Sequence, residues 1–256
     1  MAKTKFSDKG VTVEREVDKE AADMIAGEET TAMAVAPTSL PPAVIGQATG
    51  DVDKTDIKLP RLELVYGVGE LVENFQMGDV VYNHELCLVH KGETLRLTVA
   101  SIQKYYIEDL PYEPSREVMP RMFATKEEVQ AAGLWVTWDT NGQRKPPVAE
   151  CADILMVVEC PEGVDDSLFP LCYTEGNESI SLAIAKYTVR KTSYTRVAKP
   201  IFSAQKFFLR DSLLMGRWEL KTEIKKLGAN MVTTPSLRNT GKNTPKFVAF
   251  LTDMLG

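Results

Sequence analysis

The chain has 256 residues, of which 44% are apolar, enough for the core of one ordinary domain with a tail or of two small domains. It holds no run of about 18 apolar, uncharged residues, so we expect no membrane-spanning helix. Residues 1–20 are densely charged and lack the apolar stretch of a signal peptide, so we expect a cytoplasmic protein. Its four cysteines are then expected to be free thiols.

The net charge of −6 conceals two blocks of opposite sign. Residues 1–180 hold 16 basic and 32 acidic side chains, a balance of −16. Residues 181–256 hold 14 basic and 4 acidic side chains, a balance of +10. Asymmetry of this size predicts either a polyanionic partner for the basic block or pairing between the two blocks.

Residues 1–54 are predicted to form a disordered acidic tail. The segment 21–53 has no aromatic residue and is rich in Ala, Thr, Glu, Gly and Pro. Such a composition cannot bury enough apolar surface to offset the entropy lost on ordering. A disordered polyanion next to a cationic surface can compete with nucleic acid or recruit basic partners.

Residues 55–256 are predicted to form a single β-rich domain. Short apolar or alternating runs are separated by turn signals such as Lys91-Gly92 and Asn141-Gly142, a rhythm typical of an antiparallel sheet, barrel or sandwich. The predicted strands before the first long helix are 57–66, 79–82, 85–89, 94–104, 134–138, 152–159, 168–173 and 180–187.

Two helices are predicted within this domain. The first follows a capping box formed by Thr125 and Glu128 and ends at Gly133. The second spans 196–215, with Pro200 in its first turn. Its apolar residues form one stripe: Ile201, Ala204, Phe208, Leu209, Leu213 and Leu214.

The chain is predicted to return to β structure after the second helix. Apolar residues alternate with charged ones from Trp218 to Ile224, which indicates a strand, and 225–230 has the composition of a turn. A loop rich in Thr, Asn, Pro and Lys is predicted at 233–246, and a last strand at 247–251. The predicted fold class is therefore mostly β, of the α+β type.

Catalysis has little support in the sequence, and no cofactor is predicted. The chain has two histidines and contains no nucleophile elbow, phosphate-binding loop or zinc-protease helix. His84, Cys87 and His90 are spaced by three residues, but this spacing does not match a compact zinc finger, so no metal site is predicted. A nuclease would need clustered carboxylates, and the acidic pairs at 108–109 and 165–166 lie in turn-like runs.

The basic block combines cations with aromatic and hydroxyl side chains, the mixture that single-stranded nucleic acid requires. Cations contact phosphates, and flat aromatic faces stack on bases of any sequence. The segment 186–196 is densest, with four basic residues, two tyrosines and four hydroxyls. In a strand, Lys186, Thr188 and Arg190 share one face and Tyr187 and Val189 the other, so the segment must bend to present all of them to one ligand.

Phe202, Phe208 and Phe250 are assigned to the core, whereas Tyr194 and Trp218 have basic neighbours and are included in the site. The predicted nucleic-acid contacts are Lys186, Arg190, Lys191, Tyr194, Arg196, Lys199, Lys206, Arg210, Arg217, Trp218, Lys221 and Lys242.

A characteristic order of features runs through 56–256. The segment Leu59-Pro60-Arg61-Leu62 with the later glycines follows a low-complexity tail. A β-rich middle, a strand leading into Lys-Thr-Ser, a helix and a Trp-containing strand come after it. This order resembles a poorly characterised group of tailed-phage proteins associated with single-stranded DNA binding. The resemblance implies an OB-like barrel. Cys151, Cys160 and Cys172 are too widely spaced to match the cysteines of that group, so no metal site is carried over.

The sequence therefore predicts a non-enzymatic protein that binds single-stranded DNA without sequence specificity, in the replication or recombination system of a phage and in the host cytoplasm. The acidic tail is a candidate contact for other replication or recombination proteins. The main alternative is a phage structural or assembly protein whose basic block pairs with an acidic partner protein. The oligomeric state and the choice between DNA and RNA stay open.

Overall fold

The computed structural model describes residues 58–67, 69–111, 119–138, 142, 144–210, 212–227 and 230–255. The described residues belong to one compact unit. The predicted acidic tail, residues 1–54, lies outside them.

The described residues form ten strands and three α-helices. The strands are β1 (Leu62–Leu64), β2 (Val80–Tyr82), β3 (Leu86–Val89), β4 (Thr94–Glu108), β5 (Met122–Phe123), β6 (Val148–Glu159), β7 (Leu171–Glu175), β8 (Glu178–Arg190), β9 (Gly216–Leu227) and β10 (Asn230–Lys242). The helices are α1 (Lys126–Ala131), α2 (Lys199–Phe207) and α3 (Pro245–Leu255), and a π-helical segment, Tyr194–Ala198, directly precedes α2. None of the described helices has the length and apolar character that crossing a membrane requires.

The strands form two antiparallel sheets. The larger has the order β10-β9-β4-β6-β8-β7, with β5 also paired to β4, and β1, β2 and β3 form the smaller. One parallel bridge, between Arg61 and Lys186, joins the smaller sheet to the edge of β8. The prediction of a mostly β, antiparallel fold is confirmed. Of the two architectures that the sequence allows, an OB-like barrel or a sandwich, the sandwich-like one is observed, because in the described residues β10 and β7 are unpaired edges of the larger sheet and the sheet does not close.

The larger sheet buries parts of both faces. On one face, Ile154 and Trp218 belong to a core shared with the smaller sheet, the π-helical segment and α2. On the other face, Val157 and Leu182 pack against Leu251 of α3. Burying one large aliphatic side chain contributes about 1.5–3 kcal/mol, so these two clusters fix the helices to the sheet.

The first predicted helix is confirmed as α1. Thr125 Oγ1 accepts a hydrogen bond from the backbone N–H of Glu128 at 3.2 Å, as the capping box predicts. The Glu128 carboxylate in turn accepts from the backbone N–H of Ala124 at 2.9 Å. Val129 is the buried residue of this helix and packs with Tyr106 near the far end of β4.

The second predicted helix is shorter than expected. Helix α2 ends at Phe207, and the predicted core residue Phe208 falls beyond its end with 71% of its surface exposed. Leu209 turns back into the core. The predicted last turn is a separate 3₁₀ turn, in which Ser212 Oγ accepts a hydrogen bond from the backbone N–H of Leu214 at 3.2 Å.

Three other local predictions are wrong. The predicted loop at 233–246 is mostly β10, which pairs with β9 along its length. The predicted strand at 247–251 lies in α3, a third helix where two were expected; Thr244 Oγ1 accepts a hydrogen bond from the N–H of Phe247 at its start. The predicted strand at 134–138 is irregular, and its Leu134 N–H donates back to the Val129 carbonyl at 3.0 Å.

Candidate nucleic-acid interface

Two open grooves flank the C-terminal end of β8. The first has a volume of 720 Å³, lies between β1 and β8, and is lined by residues that include Arg61, Tyr66, Lys186, Thr188 and Arg190. The second groove has a volume of 590 Å³, and its lining includes Lys191, the residue that follows Arg190. We refer to the residues lining both grooves as the β8-end surface.

The second groove gathers side chains from separate parts of the chain. Lys191 and Arg196 come from the turn after β8 and the π-helical segment, and Lys145 comes from the loop before β6. Trp138 lies at the end of the irregular segment that follows α1, with 59% of its surface exposed. Thr195 adds a hydroxyl group. Cations, a hydroxyl and an exposed indole therefore line one cavity.

The local backbone explains why β8 serves both grooves. Within the strand, Tyr187 and Val189 point into the core and Thr188 and Arg190 point to solvent. Lys191 then takes a left-handed conformation with φ of 55°, and the chain turns into the π-helical segment. The segment therefore bends after β8, and the bend divides the basic side chains of 186–196 between two adjoining grooves.

Asp109 and Glu150 are the acidic residues that line the second groove; Glu150 pairs with Lys104 at 2.7 Å, and Asp109 contacts two lysines of the groove. One of its carboxylate oxygens lies 2.7 Å from Lys145 Nζ and the other 2.6 Å from Lys191 Nζ. Burial alone would raise the pKa of Asp109, but the two ammonium groups outweigh it and the pKa is lowered. One carboxylate faces two ammonium groups, so this cluster keeps a net positive charge. Arg196 forms no ion pair with another described side chain.

Asp153 has the corresponding role beside the first groove. Its carboxylate lies 2.7 Å from Lys186 Nζ and accepts hydrogen bonds from Thr188 Oγ1 at 2.7 Å and Tyr105 Oη at 3.4 Å. Burial, with the nearby Asp153 charge, raises the pKa of Tyr105 to about 12, so the phenol stays a proton donor. Arg190 is exposed and has no ion pair among the described residues, which leaves its guanidinium available to a ligand.

Two predicted stacking residues need correction. Tyr194 is 3% exposed and Trp218 is 0% exposed, and both belong to the main core cluster. A buried ring has no free face for a base, so the structure contradicts the prediction that these two side chains stack on nucleic acid. Tyr194 still lines the wall of the second groove, where Lys104 Nζ lies 5.5 Å from its ring centroid.

The other predicted contacts divide between further surfaces. Lys199, Lys206 and Arg210 are exposed on α2 and just beyond it, as are the rings of Phe207 and Phe208, and Lys206 Nζ lies 5.8 Å from the centroid of the Phe207 ring. These five residues make a second basic and aromatic group, separate from the residues that line the two grooves.

A third group lies on the solvent face of β9. Arg217 and Lys221 alternate with the buried Trp218, so they face away from the main core. The register places Arg96 and Arg238 on either side of Glu219 on neighbouring strands. Lys242, also exposed, pairs with Gly216 at the end of the hairpin. The twelve predicted residues therefore do not form a single site.

Sequence reasoning missed Trp138 and Lys145. The sequence pattern predicts a strand at 134–138 that includes Trp138, and Lys145 lies in the acidic part of the chain, far from the basic block in sequence. The turn signal Asn141-Gly142 directly after this segment indicates a surface position and was the one available sign that Trp138 is exposed.

The acidic pairs that a nuclease would need contact basic side chains, a hydroxyl group and a backbone N–H of the same chain. Glu108 lies 2.6 Å from Arg121 Nη2, and Asp109 binds the two lysines. Asp165 caps a 3₁₀ turn by accepting from the Ser167 N–H at 3.0 Å, and Asp166 accepts from Ser181 Oγ at 3.2 Å.

Comparison of the chain with protein-family models, curated proteins and solved structures gave no match.

Proposed function

We propose that the protein binds single-stranded DNA at the β8-end surface, without strong sequence preference. The observation that carries this proposal is the second groove, where the exposed indole of Trp138 lies beside Lys145, Lys191 and Arg196. Each base stacked on an aromatic ring contributes about 1–3 kcal/mol whatever its identity. The tailed-phage resemblance of the sequence supports a role in phage replication or recombination, in the host cytoplasm.

The first groove extends the same chemistry across β8. Arg61, Lys186 and Arg190 supply cations beside the carboxylates of Glu63 and Glu70, Thr188 supplies a hydroxyl, and Tyr66 supplies a partly exposed ring. Hydroxyl and guanidinium groups are common donors to phosphate oxygens. A single strand of DNA that follows both grooves therefore meets hydrogen-bond donors for its phosphates, and aromatic faces for its bases, on each side of the bend at the end of β8. This arrangement supports binding rather than catalysis.

The direct test is fluorescence anisotropy of the full chain with labelled oligo-dT and with duplex DNA of the same length, across a salt series. We expect tighter binding to the single strand, with log K falling by about 0.7 per log unit of salt for each phosphate contacted. Absence of binding to both ligands at about 50 mM salt would overturn the proposal. A preference for the duplex would overturn the single-strand part of it.

Variants locate the site. Arg190→Ala combined with Arg196→Ala should weaken binding and reduce the salt slope by about 1.4, because two phosphate contacts are lost. Lys246→Ala is the matched control, since this exposed lysine lies on α3. Helix α3 packs against Leu182, eight residues before Arg190 in β8 and so roughly 26 Å away along the strand. Equal losses in the control and the double variant would argue against this location.

Trp138 tests the stacking contact separately from charge. Trp138→Ala should weaken oligo-dT binding roughly 5- to 150-fold, the range for one stacked base, with an unchanged salt slope. Trp138→Phe keeps an aromatic face and should recover most of the affinity. If the protein binds polyglutamate but not oligo-dT, the result would favour the alternative, an assembly protein whose basic block pairs with an acidic partner.

A further inference from the structure

A second group of chemically active side chains lies at the β2–β3 hairpin, away from the β8-end surface. Asp79 directly precedes β2, Cys87 is in β3, and His90 directly follows β3. The pairing of Val80 with Val89 places Asp79 and His90 side by side at the open end of the hairpin. An irregularity in the register after this pair brings Cys87 within reach of both.

The ligand atoms of these three residues lie close together. His90 Nδ1 lies 3.1 Å from Asp79 Oδ1 and 3.7 Å from Cys87 Sγ, and all three atoms lie within 4.8 Å of one another. Zinc bonds of about 2.1 Å to oxygen and nitrogen and about 2.3 Å to sulfur, arranged tetrahedrally, separate the ligand atoms by about 3.4–3.6 Å. Small rotations of the side chains would therefore complete this geometry.

The surroundings hold the ligands as metal sites usually do. Asp79 is 2% exposed; its Oδ2 accepts a hydrogen bond from the Gln76 N–H at 2.9 Å, and its Oδ1 faces the cluster, 3.1 Å from His90 Nδ1. The N–H of His90 donates to Glu93 Oε2 at 2.7 Å, which fixes the backbone of that ligand. The hydrogen bond to the Asp79 carboxylate is a contact of the kind that orients a ligating carboxylate in metal sites. The His90 ring is mostly exposed, so an ion can enter from solvent.

We propose that Asp79, Cys87 and His90 bind one Zn²⁺ ion, with water as the fourth ligand. One nitrogen, one sulfur and one oxygen ligand suit zinc, and three protein ligands leave one coordination position to solvent. The ion would tie the loop before β2 to the end of β3 and so stabilise the smaller sheet. His84, which shares the three-residue spacing in sequence, pairs instead with Glu63 at 3.1 Å and takes no part. The sequence alone does not point to Asp79, because only the pairing of β2 with β3 brings it beside Cys87 and His90.

The test is titration of the full chain, freed of metal by chelation, with Co²⁺ as a spectroscopic probe. We expect a thiolate-to-cobalt charge-transfer band and the visible absorption of tetrahedral cobalt, saturating at one ion per chain. Zn²⁺ should displace the cobalt and raise the melting temperature. Absence of the charge-transfer band in the wild-type chain would overturn the proposal and would show a hydrogen-bonded cluster only.

Variants distinguish the ligands from other cysteines. Cys87→Ser should abolish the charge-transfer band, whereas Cys172→Ser, which changes an exposed cysteine of β7, should leave it intact. Because Cys87 is partly buried, His90→Ala provides a second variant at an exposed side chain. Losing an outer-shell partner of a metal ligand weakens metal affinity roughly 10- to 100-fold. Loss of a direct ligand should therefore weaken the affinity for Co²⁺ by at least as much. A band that survives both Cys87→Ser and His90→Ala would overturn the assignment.

Discussion

Replacing Asp109 by asparagine should strengthen DNA binding, because this carboxylate competes with phosphate for two lysines. Asp109→Asn removes the ion pairs to Lys145 and Lys191 while keeping the size of the side chain. Both lysines are more than half exposed, so they stay solvated once released. The cost to folding should be small, about 1 kcal/mol or less for each partly exposed pair.

The gain in DNA affinity of the Asp109→Asn variant can be estimated from counterion release. Each phosphate contact on a single strand contributes about 0.7 to the salt slope, so between about 1 M and 0.05 M salt it is worth about 0.9 log units of affinity. Two released lysines therefore give at most about 1.8 log units, roughly 60-fold, at the lower salt concentration. The salt slope should rise by up to about 1.4.

Fluorescence anisotropy with labelled oligo-dT at several salt concentrations measures both quantities. Glu178→Gln is the matched control, because it makes the same charge change at an exposed residue twelve positions before Arg190 in β8, roughly 40 Å away. Screening over about 10 Å at 0.1 M salt should leave its affinity near the wild-type value. If Asp109→Asn folds normally and shows wild-type affinity and slope, Lys145 and Lys191 do not contact phosphate.

Three further outcomes follow from single contacts. Gly216→Ala should destabilise the protein by about 1–3 kcal/mol in urea unfolding, because a Cβ there would lie 2.6 Å from atoms of Leu209 and Trp218 in the core; an unchanged midpoint would contradict this packing. All four cysteines lie among the described residues and Cys172 alone of them is exposed, so it should be alkylated first at neutral pH, which peptide mass mapping checks; earlier labelling of another cysteine would be inconsistent with this exposure. Because the folded pKa of Asp109 is lowered, its stabilising contribution is complete above its unfolded pKa near 3.9 and is lost as pH falls through the folded value. The stability difference between wild type and Asp109→Asn should therefore shrink below about pH 4, and a constant difference would show that the ion pairs add nothing.

The strands of the sheet centre were predictable because their pattern is dictated by burial. In β8, for example, Tyr187 and Val189 alternate with polar residues, and only a half-buried strand explains that period. Strand β10 was missed because Thr233 and Thr234 are polar yet buried, and its sequence resembles a loop. A short apolar run such as 247–251 fits a strand or a helix equally well by periodicity, so tertiary packing decided in favour of α3.

The candidate site was only half predictable. The basic residues of 186–196 are neighbours in sequence, so any fold keeps them close. Trp138 and Lys145 reach the same groove through the packing of distant segments, which no local pattern encodes. For Trp218 the signal was present: its alternation with Arg217 and Glu219 already placed the ring on the core face, and its basic neighbours on the opposite one.

The end of β8 joins the two grooves because of one strained residue. A left-handed conformation costs a residue with a side chain about 1–2 kcal/mol, and Lys191 keeps it with φ of 55°. Backbone contacts hold it there: its N–H donates to the Glu150 carbonyl at 3.4 Å, and its carbonyl accepts from the Thr195 N–H at 3.2 Å. A regular strand would leave Arg196 on a continuing edge, and the second groove would not form. An alternating strand exposes only half of its side chains to one ligand. The left-handed conformation of Lys191 ends the strand in a corner instead, with cations on both sides of it.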